Sequence, residues 1–372
     1  MFKKVFATRS LNDLQQVFSF AVICLSLFGL LMVYSASSVA AYDQLGDSFY
    51  LFRRQIMFFV LGVFVMNASS RIRPDVWLKI SPIALGLSVL AMFVVHLPGV
   101  GHSAGGATRW IALGSFTVQP SEFVKLFAVA YFARLLSKKT SALIETWQFG
   151  VAPVLLFLCL LGAGMMAQPD FGNTAILFAV GFAMLFLAGA RIKHLGILLI
   201  AAIPAVAYLI MGAGYRRQRL AAFLDPWADP THSSYQILQS LSAFSSGGLF
   251  GKGLGNSQEK LFFLPKVHTD FIASVVGEEL GFVGVLLLGL VFLFVCRYAF
   301  QVAAKTKTKG HGYLASGLGF MLCLQAVLNL AVVLGMVPTK GLPLPFISYG
   351  GSSLVVAFWA CGLIQSVAKH DT

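Results

Sequence analysis

The stretch DFIASVVGEELGFVGVLLLGLVFLFVCRYAF, residues 270–300, opens with an acid and continues as a long apolar run. Apolar runs of roughly 17 to 25 residues are long enough to cross the hydrocarbon core of a bilayer as a helix. Pro265 breaks any earlier helix, and Thr269 is of a residue type that caps helix N-termini. We therefore predict a membrane-spanning helix with Thr269 as its N-cap and Asp270 in its first turn.

The composition of the whole chain also indicates a membrane protein. Hydrophobic residues make up 58% of the sequence and charged residues 11%, with a mean hydropathy of +0.82, whereas soluble domains average about 25% charged. The sequence therefore predicts an all-α polytopic membrane protein with about ten transmembrane helices. The predicted spans are Val17–Ala40, Phe49–Ala68, Ile80–Leu97, Val118–Leu136, Phe149–Ala167, Phe171–Ala190, Leu195–Met211, Asp270–Phe300, Tyr313–Val337 and Phe346–Ala368.

The distribution of basic residues predicts the orientation of the chain. Lys and Arg concentrate on alternate loops, and the short loops on the opposite side hold far fewer of them, namely Arg53, Arg54, Arg109 and Lys340. Because loops rich in Lys and Arg lie in the cytoplasm, both termini are predicted to be cytoplasmic. The net charge of +13 then reflects a basic fringe beside anionic lipid. It gives no reason to expect a nucleic-acid partner.

The longest polar segment, residues 212–269, is predicted to be a large extracytoplasmic loop between helices 7 and 8 of a single membrane domain, residues 1–372. Long loops in compact proteins are usually either functional or disordered. This segment contains many aromatic residues, from Tyr215 to Phe263, which provide apolar surface to pack on the helices. We therefore predict an ordered loop.

Several residues of this loop are candidates for contact with a substrate. Arg216 and Arg219 follow an apolar helix, where the planar guanidinium can hold phosphate oxygens or anchor to lipid headgroups. The stretch SSGGLFGKGLGNSQEK, residues 245–260, matches neither the Walker A spacing nor the dinucleotide fingerprint. Its glycines and Lys252 instead predict a shaped outer loop that touches substrate. His268 is predicted to cap the loop or, alternatively, to orient Asp270.

Acids and bases also occur inside the apolar spans. Glu122 and Lys125 are three residues apart, so they share one helix face. Glu278 follows Asp270 by about two turns and is nearer to its face than Glu279 is. Ionisable groups at membrane depth usually mark a function. The alternatives are that Glu122 and Lys125 neutralise each other as a buried pair, and that Asp270 is only a capping acid favoured by the helix dipole.

Several motifs occur in order along essentially the whole chain: GATRWIALGSFTVQPSEFVK, QPDFGNTA, YRRQRLAAFLDPWADP, SYQILQSLSAFSSGGLFGKGLGNSQEKLFFLP, HTDFI, GEELGFVG and PTKGLPLPFISYGGSS. In these motifs the chain resembles the SEDS family of cell-wall polymerases, and its division branch more than its elongation branch. The resemblance implies a peptidoglycan glycosyltransferase of the bacterial inner membrane. Such an enzyme polymerises lipid II, a disaccharide-pentapeptide carried on undecaprenyl pyrophosphate, during septal cell-wall synthesis.

The resemblance also implies roles for particular residues and partners. Asp270 in HTDFI matches the catalytic acid of the family, Glu122 and Lys125 match its fourth-helix acid and base, and Arg109 and Trp110 match an outer-loop pair. The implied partners are a class B penicillin-binding protein, which is a monofunctional transpeptidase, and other division-complex proteins. In one departure, Lys266 stands where the family usually has Glu, four residues from Asp270.

The chemistry implied for lipid II needs only one base. The donor sugar is α-linked and the product is β-1,4-linked, so the reaction inverts and can proceed by a single displacement. We expect Asp270 to accept the proton. Arg216, Arg219, Lys125 or a divalent ion would stabilise the leaving pyrophosphate.

Cofactors and other functions are less constrained by the sequence. Mg²⁺ or Mn²⁺ would suit an acid and phosphate oxygens, although no motif requires a metal, and no organic cofactor is expected. Two further functions stay open. A lipid II flippase would need polar residues at several membrane depths, whereas a non-catalytic scaffold would only recruit the transpeptidase.

Overall fold

The computed structural model describes residues 11–104, 107–114, 116–231, 234–260 and 267–372. In this part of the chain a helix coincides with each of the ten predicted spans, which confirms the helical polytopic fold. The α-helices and β-strands, in chain order, are α1 Leu11–Leu45, α2 Tyr50–Arg71, α3 Pro74–Val94, β1 Gly101–Ala104, β2 Ala107–Leu113, β3 Phe116–Val118, α4 Pro120–Ser137, α5 Ser141–Ile144, α6 Ala152–Ala167, α7 Phe171–Ala188, α8 Ile192–Met211, α9 Gly214–Leu224, α10 Tyr235–Gly247, α11 Ile272–Lys305, α12 Lys309–Val333 and α13 Gly351–His370. A π-helical turn, Trp147–Val151, leads directly into α6.

Nine of the long helices in the described ranges are long and apolar enough to cross a membrane. The other long helix, α4, carries Glu122, Lys125 and Arg134. It is nonetheless largely buried, because it packs against α3, α7, α12 and α13. Glu122 and Lys125 are therefore enclosed by protein rather than exposed to lipid. The protein interior is where charges are tolerated at membrane depth.

Helices α2 and α3 are joined by only two residues, Ile72 and Arg73, yet they pack on different partners. Pro74 occupies the first turn of α3, where its fixed φ favours a new helix and its missing N–H costs nothing. From this corner α2 runs along α13, whereas α3 runs along α4.

A small antiparallel sheet lies between α3 and α4, and the sequence did not predict it. Its strand order is β1-β2-β3, and Ile111 pairs with Val118 across β2 and β3. The strands are short, from three to seven residues, and lie in a glycine-rich stretch. Short strands give a weak alternation pattern, which is why the prediction of an all-α chain missed them.

Helix α11 is not the single uninterrupted helix that the apolar run predicted. At Gly281 the backbone adopts φ 67° and ψ −166°, which breaks the helix between its first turns and the rest of the span. The backbone of the preceding loop replaces the lost helical hydrogen bonds. Phe282 and Val283 donate to the carbonyls of Gly248 and Leu249 at 2.9 and 3.1 Å, respectively.

The loop glycines are required by this close approach of two backbones. Lys252 N–H donates to the Glu278 carbonyl at 3.0 Å, so the loop backbone also bonds the other side of the break. A Cβ on Gly251 would lie 2.2 Å from the Glu279 carbonyl oxygen. Gly251 therefore allows the loop to lie directly on α11, and we call this contact, formed by residues 247–253 and 277–283, the loop clamp.

We expect Gly251→Ala to destabilise the protein much more than Gly255→Ala. Both glycines have a positive φ, 79° and 82°, but a Cβ on Gly255 would have nothing within 4 Å. Gly255→Ala should therefore cost only the backbone strain of about 1 kcal/mol, whereas Gly251→Ala also separates the loop clamp. Thermal unfolding of the two purified variants measures the difference, and equal melting temperatures would contradict the clamp.

The loop predicted between the seventh and eighth spans lies between α8 and α11. Its described part contains two helices, α9 and α10. Since consecutive spans alternate in direction, this loop, the sheet, and the starts of α2, α4, α7, α11 and α13 all lie at one end of the bundle. We call it the site end, because Asp270 lies there. The loops in which Lys and Arg concentrate lie at the other end of the bundle.

Candidate active site

Asp270 lies in a turn that three hydrogen bonds fix from outside its own segment. Asn329 on α12 donates to the Asp270 carbonyl at 2.8 Å, and the Ser348 hydroxyl donates to the Thr269 carbonyl at 2.6 Å. The Tyr349 N–H donates to the His268 carbonyl at 2.9 Å. All three carbonyls of the His268–Asp270 segment are thus held by tertiary contacts.

These contacts correct the prediction made for the start of the helix. Helix α11 begins at Ile272, with Phe271 at the N-cap position, so Thr269 is not the N-cap and Asp270 is not in the first helical turn. The capping prediction assumed that local hydrogen bonds decide the geometry here. Residues from α12 and from the segment before α13 decide it instead.

The Asp270 side chain is half-buried and lies beside a glycine and an arginine. A Cβ on Gly341 would be 3.1 Å from Asp270 Oδ2, so the carboxylate packs on the bare backbone of this residue. Asp270 is also near enough to Arg219 to interact with its charge. Asp270 is therefore partly exposed, has its backbone fixed by tertiary contacts and lies close to a cation.

Arg219 belongs to a cluster of cations around two aromatic rings, which we call the cation cluster. Arg216 lies 5.3 Å from the Tyr215 ring and 5.9 Å from the Phe171 ring, and Arg219 lies 5.8 Å from Tyr215. The Lys340 ammonium lies 5.1 Å from the centre of the Phe171 ring. Three positive charges of the cluster thus converge near the Asp270 turn.

The electrostatics of this cluster follow from its partial burial. Burial lowers the pKa of Lys340. Burial is also the largest influence on Arg219 and lowers its pKa, whereas Tyr215 and Asp270 act in the opposite direction and Arg109 adds to the lowering. The cluster is thus a set of partly desolvated cations that a negatively charged group would stabilise.

Arg109 and Trp110, the outer-loop pair matched by the resemblance, lie on β2 at the site end. The register shifts between His102 and Ser103, which pair with Trp110 and Thr108, so Arg109 lies in a β-bulge. Arg109 donates to the carbonyls of Gln168 and Pro169 and lies 3.9 Å from Asp170 Oδ1. Arg109 therefore fixes the turn before α7, while its charge still reaches Arg219.

Glu122 and Lys125 form the buried pair that was the alternative interpretation. The Lys125 ammonium lies 3.1 Å from Glu122 Oε1 and 3.1 Å from Gln325 Oε1, and only 1% of Lys125 is exposed. Gln325 in turn donates to the Pro343 carbonyl at 2.9 Å. Lys125 is therefore sealed from a leaving group and supports the segment that carries Gly341.

Lys252 and Glu278 are also structural in this geometry. Glu278 is 1% exposed and lies 2.8 Å from the Lys252 ammonium. It also accepts hydrogen bonds from the Ser257 hydroxyl and the Gln258 N–H. The charge of Lys252 is thus used to hold the loop clamp.

His268 packs against Tyr349, with ring centroids 5.9 Å apart in an edge-to-face arrangement. Lys266, the departure from the family pattern, lies outside the residues that the structure describes. Its effect on the charge near Asp270 therefore stays a prediction. A test is to compare divalent-ion titrations of activity with those of Lys266→Glu.

The described residues do not fit a protein-built metal site. Within the described ranges no group of three or more His, Cys, Asp or Glu side chains is arranged to hold a metal ion. Asp270 has the cationic Arg219 as a charged neighbour. Hard divalent ions prefer several oxygen ligands, so we derive no catalytic step through Mg²⁺ or Mn²⁺.

An apolar cavity of about 310 Å³ lies between α3 and α4, beneath the sheet. Leu87 and Ala91 of α3, Phe123 of α4, and Ile111 and Val118 of the sheet contribute to its walls. The cavity is thus lined almost entirely by apolar side chains next to the site end. It is suited to an aliphatic chain rather than to a sugar.

The sequence did not single out Asn329, Lys340 or Phe171, although all three shape the site. Lys340 appeared only as one of few basic residues on the outer side, and that rarity was the signal that could have found it. Asn329 lies in an apolar span, and a buried amide there indicates a required hydrogen-bond partner. Phe171 gave no signal beyond the quoted motif QPDFGNTA.

We expect Asn329→Leu to lower kcat by about 10-fold to 100-fold and leave the KM for substrate nearly unchanged. The leucine removes both bonds of the amide, to the Asp270 carbonyl at 2.8 Å and to the Leu342 carbonyl at 2.7 Å. Unpaired buried carbonyls cost about 1–3 kcal/mol each, so the Asp270 turn relaxes away from its fixed position. Steady-state kinetics measures the split, and a changed KM with normal kcat would contradict a positioning role.

Taken together, these features define a polytopic helical membrane protein that presents one accessible carboxylate beside a cation cluster and an apolar cavity. Comparisons with known proteins agree with this class. The family of FtsW/RodA/SpoVE cell cycle proteins matches residues 15–372. The chain belongs to this family, which confirms the resemblance seen in the motifs.

Individual relatives cover nearly the whole chain. It is 42% identical over 349 residues to a probable peptidoglycan glycosyltransferase FtsW of Geobacter metallireducens, covering 94% of this chain and 92% of the relative. It is 40% identical to a protein of the same description in Pseudomonas fluorescens, covering 92% and 86% of the two chains, respectively.

Solved structures share the fold. A chain in the structure described as "Structural coordination of polymerization and crosslinking by a peptidoglycan synthase complex" aligns with a TM-score of 0.78 at 28% identity, covering 96% of this chain and 98% of that chain. The rod shape determining protein RodA of Thermus thermophilus aligns with a TM-score of 0.67 at 26% identity, covering 95% and 96%, respectively.

Proposed function

We propose that this chain is a peptidoglycan glycosyltransferase that polymerises lipid II into β-1,4-linked glycan strands, with Asp270 as its general base. The observation that carries the assignment of Asp270 is its position. The carboxylate is half-buried, held by Asn329, Ser348 and Tyr349, and adjacent to the cation cluster. A base must be accessible and fixed, and a pyrophosphate leaving group needs cations.

The reaction is one inverting displacement. The 4-hydroxyl oxygen of the acceptor sugar attacks the anomeric carbon of the donor and forms the new C–O bond. The bond between that carbon and the pyrophosphate oxygen breaks, and its electron pair stays on the pyrophosphate. Asp270 takes the hydroxyl proton, while Arg216, Arg219 and Lys340 stabilise the charge that develops on the leaving oxygen.

The leaving group is already an anion, so a second carboxylic acid is not needed to protonate it. This separates the reaction from inverting hydrolysis of glycosides, where two carboxyl groups act. The site matches the simpler requirement, because Glu278 and Glu279 are occupied with Lys252 and Lys260, respectively. Asp170, next to Phe171, is buried and accepts hydrogen bonds from Ser121 and Asn173. Asp270 lies beside the cation cluster and is partly exposed.

The apolar cavity between α3 and α4 supports a lipid-linked substrate. A polyprenyl chain has to stay in the bilayer while its sugar reacts at the interface, and the cavity adjoins the site end. The flippase alternative would need polar groups at several depths of the helices. In the described helices Glu122 and Lys125 neutralise each other in the bundle interior, which favours the polymerase.

The cellular setting follows from this function. We expect a multi-pass protein of the bacterial inner membrane with cytoplasmic termini, so that the site end faces outward, and we expect it to act at the division septum. Its partners would be a class B penicillin-binding protein, which crosslinks the new strands, and other division-complex proteins. The scaffold alternative predicts the same partners without glycan synthesis.

The test is a polymerisation assay with purified full-length chain, labelled lipid II and the cognate class B penicillin-binding protein. We expect glycan strands that muramidase digests to disaccharide units, and no strands from the penicillin-binding protein alone. If strands never form, while the chain moves lipid II across liposome membranes, the flippase function would replace the polymerase. If neither activity is found and the complex still assembles, the scaffold function would replace it.

A further inference from the structure

A further cationic side chain lies at the site end, apart from the cation cluster. The Arg54 guanidinium, near the start of α2, lies 5.5 Å from the ring centres of both Tyr50 and Phe116. Arg54 donates to the Tyr50 hydroxyl at 3.2 Å. Burial raises the pKa of Tyr349, and the nearby Arg54 charge partly offsets this effect.

The start of α2 is docked on the segment that holds the Asp270 turn. Gln55 is buried, donates to the Ser348 carbonyl at 3.1 Å and accepts from the Gly350 N–H at 3.3 Å. Tyr349, between these two residues, packs on His268. Arg54 is therefore connected to the Asp270 turn from the side of His268 and Tyr349.

The sheet places Arg54 at one end of the apolar cavity. Phe116 and Val118 are two residues apart on β3, so they share one face of the strand. Val118 lines the cavity, and Phe116 contacts Arg54. A positive group thus follows the apolar lining along a single strand face, which matches the order of tail and headgroup in an anionic lipid.

The other end of the same sheet reaches the cation cluster. Arg109, on β2 two residues before Ile111, interacts electrostatically with Arg219. Phe116 pairs with Leu113, which lies four residues beyond Arg109 along β2. At about 3.4 Å per residue, the two ends of the sheet are roughly 14 Å apart. Arg54 and the cation cluster are therefore two separate positive regions. Asp270 lies beside the cation cluster, and its turn is connected to Arg54 through His268 and Tyr349.

Glycan polymerisation is the proposed function on which this inference rests. It requires the protein to bind two lipid-linked anionic headgroups at the same time. Each sugar arrives on its own undecaprenyl pyrophosphate, yet only one pyrophosphate leaves. We propose that Arg54, flanked by Tyr50 and Phe116, binds the pyrophosphate that is retained, with its lipid chain in the α3–α4 cavity. The cation cluster binds the pyrophosphate that leaves, where developing charge needs more cations.

The residue type fits this role. The planar guanidinium can bond two phosphate oxygens at once, and aromatic neighbours restrict its orientation. Arg53 supplies a matched control. It is the adjacent arginine, but it pairs with Asp47 in the connection before α2, and its side chain is 66% exposed.

The first test is equilibrium binding of undecaprenyl pyrophosphate to the full-length chain in nanodiscs that contain phosphatidylglycerol. We expect two molecules to bind per wild-type chain and per Arg53→Gln chain. In Arg54→Gln one of the two should bind about 10-fold to 100-fold more weakly. Arg54→Lys keeps the positive charge but lacks the planar guanidinium, so it should show an intermediate loss of affinity. Thermal unfolding verifies that each variant is folded.

Other binding results would overturn the inference. A wild-type stoichiometry of one would exclude two sites. If Arg54→Gln and Arg53→Gln bound alike, Arg54 would hold no pyrophosphate. A site that accepts any anionic headgroup would be filled by phosphatidylglycerol in all chains, so the Arg54 variants would again show no specific loss.

The second test separates this inference from the proposed function. With lipid II as substrate, Arg54→Gln should raise KM by about 10-fold or more with kcat nearly unchanged, since a retained group is bound equally in the ground and transition states. Lys340→Gln should instead lower kcat. If the wild-type chain makes no glycan, the proposed function fails. If it makes glycan and the Arg54→Gln kinetics equal those of Arg53→Gln, only the second site fails.

Discussion

Replacing Asp270 by Asn is expected to lower the rate of glycan-strand formation from lipid II by about 100-fold or more while the protein stays folded. General-base catalysis is commonly worth about 10²-fold to 10⁴-fold, and an amide of the same shape cannot accept the proton. The contacts that fix the turn use the backbone carbonyls of residues 268–270 and are therefore retained.

The control for this prediction is Asp225→Asn. Asp225 lies in the same predicted loop, and its carboxylate accepts a hydrogen bond from the Trp227 N–H at 3.2 Å. We expect near-normal strand synthesis from this variant. Initial rates with labelled lipid II, together with melting temperatures, provide the measurement. Activity of Asp270→Asn above a tenth of wild type would remove Asp270 from the role of base.

Breaking the buried pair on α4 is expected to have the largest effect on stability. In Lys125→Met the Glu122 carboxylate, 2% exposed, would be left without its partner at 3.1 Å. Removing one member of a buried ion pair typically costs about 3–5 kcal/mol, whereas replacing both members with well-packed neutral residues is often neutral. The double variant Glu122→Gln, Lys125→Met should therefore recover most of the lost stability.

Activity decides between the two interpretations of Lys125. Because Lys125 is sealed and bonded to Gln325, we expect activity to follow stability in both variants. A double variant that is stable but makes no glycan would instead support direct stabilisation of the leaving group by Lys125. Lys138→Met, at the exposed end of the same helix, is the matched control and should change the melting temperature little.

Much of the architecture could be read from the sequence because its signals are local. Each of the ten apolar runs coincides with a helix, including α4, whose charges lower its hydropathy. The short strands and the break at Gly281 were missed, since both depend on contacts with distant segments. The loop residues Gly248 and Leu249, for example, bond Phe282 and Val283 across the break.

The candidate site was only partly predictable. Asp270, Arg216 and Arg219 are brought to one place, as their chemistry suggested. Lys252 and Glu278 instead bind each other, and Arg109 binds the carbonyls of Gln168 and Pro169 before α7. The charge of each residue was visible in the sequence, but the partner of each charge was not.

The amino-acid sequence by itself determined that this protein spans the membrane many times and carries an acid where an apolar helix begins. Every backbone group in hydrocarbon has to bond within its own helix, so the spans are specified by local runs of apolar residues. Only the tertiary structure decided which charges are available for chemistry. Desolvation and hydrogen bonding depend on residues far apart in the chain, as Asn329 and Asp270 are.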